Sequence, residues 1–188
     1  VYTIQLDKDN SETGTNFVVA TYDSDMPKAT APYIVGKIFK GYFTEKGGKG
    51  TQYYILENQS CNELDKEMAS KRIWDIDKDT TLYAYYVDRY YTVIFSQDEA
   101  TEKGTLSINN VLYGKEMPTA GVIAPSRTGY TFAGYFTEAN GAGVKYYDSA
   151  MASARSWDID AESTTLYAHW EIITYTITYH LNGGSVTD

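Results

Sequence analysis

The sequence predicts an α+β chain, mostly β, made of tandem small repeat domains with about one short helix per repeat. Three observations carry this reading. Strand-like segments alternate apolar and polar residues with period two. The chain duplicates itself in order along nearly its whole length. Helix signals are few and short.

The duplication sets the boundaries. Tyr2-Thr3-Ile4-Gln5-Leu6 returns as Tyr91-Thr92-Val93-Ile94-Phe95 and again as Tyr175-Thr176-Ile177-Thr178-Tyr179. Asp25-Met26-Pro27 matches Glu116-Met117-Pro118. Gly41-Tyr42-Phe43-Thr44-Glu45 is identical to Gly134-Tyr135-Phe136-Thr137-Glu138. Trp74-Asp75-Ile76-Asp77 is identical to Trp157-Asp158-Ile159-Asp160, and Thr80-Thr81-Leu82-Tyr83-Ala84 to Thr164-Thr165-Leu166-Tyr167-Ala168. The first repeat domain is therefore 1–89 and the second 90–173, while 174–188 opens a truncated third. The first carries an insertion near 55–65 that holds Cys61.

Each element follows from its pattern. Tyr91, Val93 and Phe95 face one way, with Thr92, Ile94 and Ser96 on the other side. Leu106 to Tyr113 alternates as a second strand, and Tyr130 to Thr137 reads as a third. Gly121, Pro125 and Gly129 punctuate the run between them, which leaves room for a turn or one short helix. Val144 to Tyr147 is a brief strand after Gly141 and Gly143. In the closing strand, Leu166, Ala168 and Trp170 form one face, Tyr167 and His169 the other. The best helix is Asn62 to Arg72, where Asn62 could cap and Leu64 and Met68 share a face. Its counterpart is the shorter Ser149 to Arg155. The joints, Val87-Asp88-Arg89 and Glu171 to Thr174, contain neither Gly nor Pro, so hinge motion is restricted and an extended rod is expected.

Composition excludes several function classes. Of 188 residues, 43% are hydrophobic and 22% charged, which suits a folded chain. The formal net charge of −9 is diffuse, which argues against nucleic acid or an anionic membrane as partner. No apolar run reaches the ~20 residues of a membrane span, and no leader precedes the first strand, so no membrane insertion or targeting signal is expected in this fragment. One Cys precludes an internal disulfide, and two His leave no His/Cys zinc site. A Gly-x-Ser-x-Gly elbow is absent, and Gly47-Gly48-Lys49-Gly50 lacks the Gly-Lys-Ser/Thr of a P-loop. Neither His recurs at an equivalent position, since His169 stands where the first repeat has Tyr85. The expectation is a non-enzymatic protein without a cofactor or metal.

The ordered motifs resemble the Listeria–Bacteroides repeat family. They are the opening Tyr-Thr-Val strand, Met117-Pro118, Arg127 to Thr137 with Gly129-Tyr130-Thr131-Phe132, and Thr165-Leu166-Tyr167-Ala168-His169-Trp170. The truncated third copy, Tyr175 to Gly184, is similar to the family's opening strand and its Asn-Gly-Gly turn. The resemblance covers essentially the whole chain. It implies a small β-grasp-like, ubiquitin-like unit in which a sheet packs on one short helix. It also implies a secreted bacterial surface protein whose units serve as a stalk or spacer with an adhesion role, and it brings no catalytic residues. The chain departs from the family at Tyr42-Phe43 and Tyr135-Phe136, where Trp-Tyr is usual, and at Tyr86, where the terminal Trp is usual.

Two constellations remain. Trp74-Asp75-Ile76-Asp77 and its copy place two carboxylates at i, i+2, but lack the other oxygens and the Gly of a calcium loop, so buried Trp with solvated Asp is the simpler reading. Tyr is abundant, with 19 in the chain. The residues singled out for ligand contact are Tyr42, Tyr53, Tyr54, Tyr135, Tyr146 and Tyr147. Exposed, they would stack on a glycan or meet a host extracellular protein. Strand propensity accounts for much of the same enrichment. Neighbouring repeats of the same chain are the other expected partners.

Overall fold

The computed structural model describes residues 1–56, 66–180 and 182–184. It is almost entirely β, in two curled mixed sheets. The first contains β1 (Tyr2–Asp7), β2 (Phe17–Ala20), β3 (Lys37–Glu45), β4 (Lys49–Ile55), β5 (Ala69–Ser70) and β6 (Thr80–Asp88), in the order β2-β1-β6-β3-β4-β5. The second contains β7 (Tyr90–Ser96), β8 (Ser107–Leu112), β9 (Tyr130–Phe136), β10 (Lys145–Tyr147) and β11 (Ser163–Ile172), in the order β10-β9-β11-β7-β8. Apart from the two-residue β5, the two sheets share one strand order.

In both sheets a hairpin opens the unit and its first strand runs parallel to the last. Leu6 stands opposite Leu82, and Phe95 opposite Leu166. The antiparallel partner of the last strand is equally matched, with Gly41 opposite Tyr85 and Gly134 opposite His169. These registers make Tyr83 equivalent to Tyr167, Tyr85 to His169 and Tyr86 to Trp170.

The period-two reading of the strands survives in the packing. Ile4 and Leu6 are buried on β1, and Tyr91, Val93 and Phe95 on β7. Each sheet has its own core. Tyr42, Tyr53, Tyr54, Trp74 and Leu82 centre the first; Tyr135, Tyr146, Tyr147, Trp157 and Leu166 centre the second.

The expected helix per repeat, and with it the β-grasp-like unit, is overturned. The described residues hold no α-helix, only a three-residue 3-10 turn at Ala139–Gly141. Residues 66–72 of the expected Asn62–Arg72 helix contain β5 instead, while 62–65, the insertion's core and Cys61 lie outside the described residues. Ser149 to Arg155 is a turn in which Met151 takes φ 59°. Between the hairpin and the third strand the chain is irregular. Isolated bridges Asp25–Ile73 and Thr30–Glu67 tie it down in the first repeat, and Glu116–Ser156 does so in the second. The physical reason is visible in sequence. Pro27 and Pro32, or Pro118, Pro125, Gly121 and Gly129, interrupt any helical run there.

Candidate functional site

The six tyrosines singled out for ligand contact are core residues. Tyr42, Tyr54, Tyr135 and Tyr147 expose none of their surface, and Tyr53 and Tyr146 only 1%. Four of the rings meet one another edge to face, Tyr42 with Tyr54 at 6.2 Å and Tyr135 with Tyr147 at 6.5 Å. Four of the hydroxyls are used internally: Tyr54 donates to the Pro27 carbonyl at 2.6 Å and Tyr147 to that of Pro118 at 2.5 Å, while Tyr53 and Tyr146 donate to aspartates. Burial pushes all six phenols well above their ordinary pKa. In this position they offer solvent no face for stacking.

The Trp-Asp-Ile-Asp motif forms the same clip twice. The Trp74 ring lies 4.8 Å from Tyr53 and the Trp157 ring 4.9 Å from Tyr146. Tyr53 donates to Asp75 and Tyr146 to Asp158. Arg72 and Arg155 close the clips by pairing with the same carboxylates while each guanidinium lies 5.5 Å over the neighbouring phenol ring. The Tyr53 hydroxyl, and after it the Arg72 charge, hold the Asp75 carboxyl below its ordinary pKa. Both carboxylates are therefore occupied by protein donors.

The second aspartate of the motif has a different use. Asp160 accepts a hydrogen bond from Tyr91 of its own repeat at 2.5 Å and another from Tyr33 of the first repeat. Arg89, buried at 9% exposure, lies beside these phenols, and its backbone N–H donates to the Gly36 carbonyl at 2.9 Å. Tyr33's pKa is raised to about 12, by burial first and then by the Asp160 bond. The cluster spans the joint, where a single residue, Arg89, separates β6 from β7. Sequence reasoning missed it because Tyr33 has no copy: Ser126 stands there in the second repeat.

At the following joint the backbone bond recurs, Ile173 N–H to the Gly129 carbonyl at 2.9 Å. The side chains do not recur, since Ile173 replaces Arg89. Beyond it Tyr175, Ile177 and Tyr179 are 72–81% exposed and in no strand.

Among the described residues no cluster of three or more His, Cys, Asp or Glu is arranged to hold a metal ion. Among the same residues no helix is long and apolar enough to cross a membrane. The concave surface that does recur lies beside the last strand of each sheet, at Asp7, Asp9, Lys46 and Tyr83 in the first repeat and at Asp98, Arg127, Tyr167 and His169 in the second.

Residues 91–169 match the Listeria–Bacteroides repeat domain. Over 98% of its length the chain is 26% identical to a protein of Evansella cellulosilytica whose name calls it a membrane protein, and it covers 23% of that protein. Over 57% of its length it is 32% identical to another protein of that organism, one whose name calls it a Gly-rich membrane protein, and it covers 12% of it. The chain thus spans a quarter or less of these relatives. No solved structure matches it significantly.

Proposed function

Because residues 91–169 match the Listeria–Bacteroides repeat domain and the first sheet shares the second's strand order, we propose that the chain is a non-enzymatic spacer of the bacterial cell envelope. Each repeat is a folding unit, and the string of units faces the extracellular side. It holds whatever it is joined to away from the surface, in the manner of an adhesin's stalk. The relatives whose names call them membrane proteins support an envelope location.

The observation that carries the reading is the joint. Flexible tethers shorten a spacer because a random coil's reach grows only as the square root of its length. Here one buried residue separates the two sheets, and Tyr33, Asp160 and Tyr91 lock across it. Folded units joined this way add length with each copy.

Small-angle scattering of the two-repeat chain tests it. An elongated particle is expected, with a Tyr33→Phe/Asp160→Asn variant showing a broader distance distribution at unchanged strand content. A compact, near-spherical pair of repeats would overturn the spacer reading.

A further inference from the structure

The groove beside the last strand is the same place in both repeats. Register makes Tyr83 equivalent to Tyr167 and Tyr85 to His169. These four rings are half-buried, unlike the tyrosines of the cores; Tyr83, Tyr167 and His169 line the grooves, and Tyr85 lines the hollow that adjoins the first groove across Asp9 and Gly47. Their support is duplicated as well. Tyr85 meets the edge of Phe43 at 6.0 Å, and His169 that of Phe136 at 5.7 Å. On the other side, Gly48 and Gly141 press so close that a Cβ would come within 2.5 Å of the Tyr85 ring and 2.8 Å of the His169 ring. The rings are held in place by neighbours that leave part of each one open.

Charge follows the same plan with different residues. Asp7, Asp9 and Lys46 line the first groove, and Asp98, Glu99 and Arg127 the second. Each therefore presents two carboxylates and one cation. Lys46 lies 3.8 Å from Asp7 and 5.3 Å over the Tyr83 ring. Arg127 pairs with Glu99 at 2.5 Å and stacks 3.6 Å over Tyr130. Those cations are engaged by the protein, whereas Asp9 and Asp98 are exposed at the mouth. The cavity in the second repeat is about 240 Å³, below the ~300 Å³ of sites for drug-sized ligands.

We propose that each repeat binds one neutral sugar residue in this groove. A pyranose ring has an apolar C–H face and a rim of hydroxyls. The half-open aromatic rings suit the face. The exposed Asp9 and Asp98 carboxylates accept from the rim, and charge-assisted hydrogen bonds of this kind are the strong ones. An anionic ligand meets an excess of carboxylate and no free cation in the lining. Two grooves on one chain give weak sites avidity for a polymer. The chemistry is common to envelope polysaccharides and to host glycans. The site does not rest on the spacer reading, since a compact chain would carry the same groove.

The test is a titration of the intact 188-residue chain, followed by two-dimensional NMR. The probes are galactose, mannose and N-acetylglucosamine oligomers, with sialyllactose and uncharged tripeptides as controls. Saturable shifts at Tyr83, Tyr167 and His169 are expected with neutral oligosaccharides, from either bacterial or host structures. Affinity should fall at least about tenfold in Tyr83→Ala/Tyr167→Ala. Because those rings also pack, Asp9→Asn/Asp98→Asn is the second variant: both aspartates are exposed, the fold should persist, and binding should weaken similarly. The proposal is overturned by any of three results. These are no shift at the grooves up to tens of millimolar saccharide, binding unchanged in the folded aspartate variant, or shifts produced only by sialyllactose or peptide.

Discussion

Tyr42 and Tyr54 have the same residue type and depth, yet their hydroxyls differ. Tyr54 has a carbonyl to donate to, whereas the Tyr42 hydroxyl is buried with no partner among the described residues. An unmade buried hydrogen bond costs about 1–3 kcal/mol. Tyr42→Phe should therefore hold or raise the melting temperature, while Tyr54→Phe should cost about 1 kcal/mol of stability and lower it. Calorimetry of the two variants checks the contrast. Trp157→Ala, which empties the centre of the second core, should cost about 3–5 kcal/mol. Asp75 gives the acid side. Its native pKa is lowered, so its contribution is full above the unfolded value of 3.8 and is lost as pH falls through the lowered native value. An acid titration of stability should show this loss in the wild type and not in Asp75→Asn. At this scale sequence reading recovered burial from alternation but could not tell a buried Tyr from a stacking one. Both roles want the same ring, and only the register of β3 against β4 and β6 decides which side it faces.

Among the elements, the identical Gly-Tyr-Phe stretches show what repetition preserves. Gly41 and Gly134 sit at φ +134° and +127°, where their strands shift register against the last strand or beside it. A Cβ on Gly134 would lie 2.2 Å from the Tyr147 carbonyl oxygen, and one on Gly41 equally near that of Tyr54. Gly134→Ala should cost at least about 2 kcal/mol, from strained backbone and forced separation of β9 from β10. Chemical denaturation would detect it as a lower midpoint at unchanged slope. Strand positions were legible because period two and the duplicated motifs agree. The described part of the expected helix is not helical: Leu64 and Met68 at i, i+4 fit a helical face in sequence, but Ala69 and Ser70 form β5 on the edge of β4. Two apolar residues at the right spacing are too little to outweigh an available sheet edge.

For the whole molecule, the joint is the least repeated part and so was the least legible. Tyr33 and Arg89 occur at one joint only, and duplication carries no information about a residue without a copy. Their chemistry predicts an alkaline transition. Tyr33 titrates near 12 in place against an ordinary 10.0, so its bond to Asp160 contributes fully below pH 10 and is lost as pH rises through 12. Scattering across that range should show the particle loosening before the sheets unfold by circular dichroism. Tyr33→Phe should be loose already at neutral pH and lack the step.

The parallel pairing of first and last strands has a further consequence. β1 enters the first sheet at one end of the ladder, and its parallel neighbour β6 leaves at the opposite end; β7 and β11 repeat the arrangement in the second. Tension applied through the two ends therefore pulls neighbouring strands past each other along their length. The ladder Ile4–Thr80 to Asp7–Tyr83 is loaded in shear, all its bonds at once, rather than peeled open from one end. Forced unfolding is governed by the unfolding rate rather than by equilibrium stability. A unit built this way would resist a pull along its ends more than its equilibrium stability alone suggests.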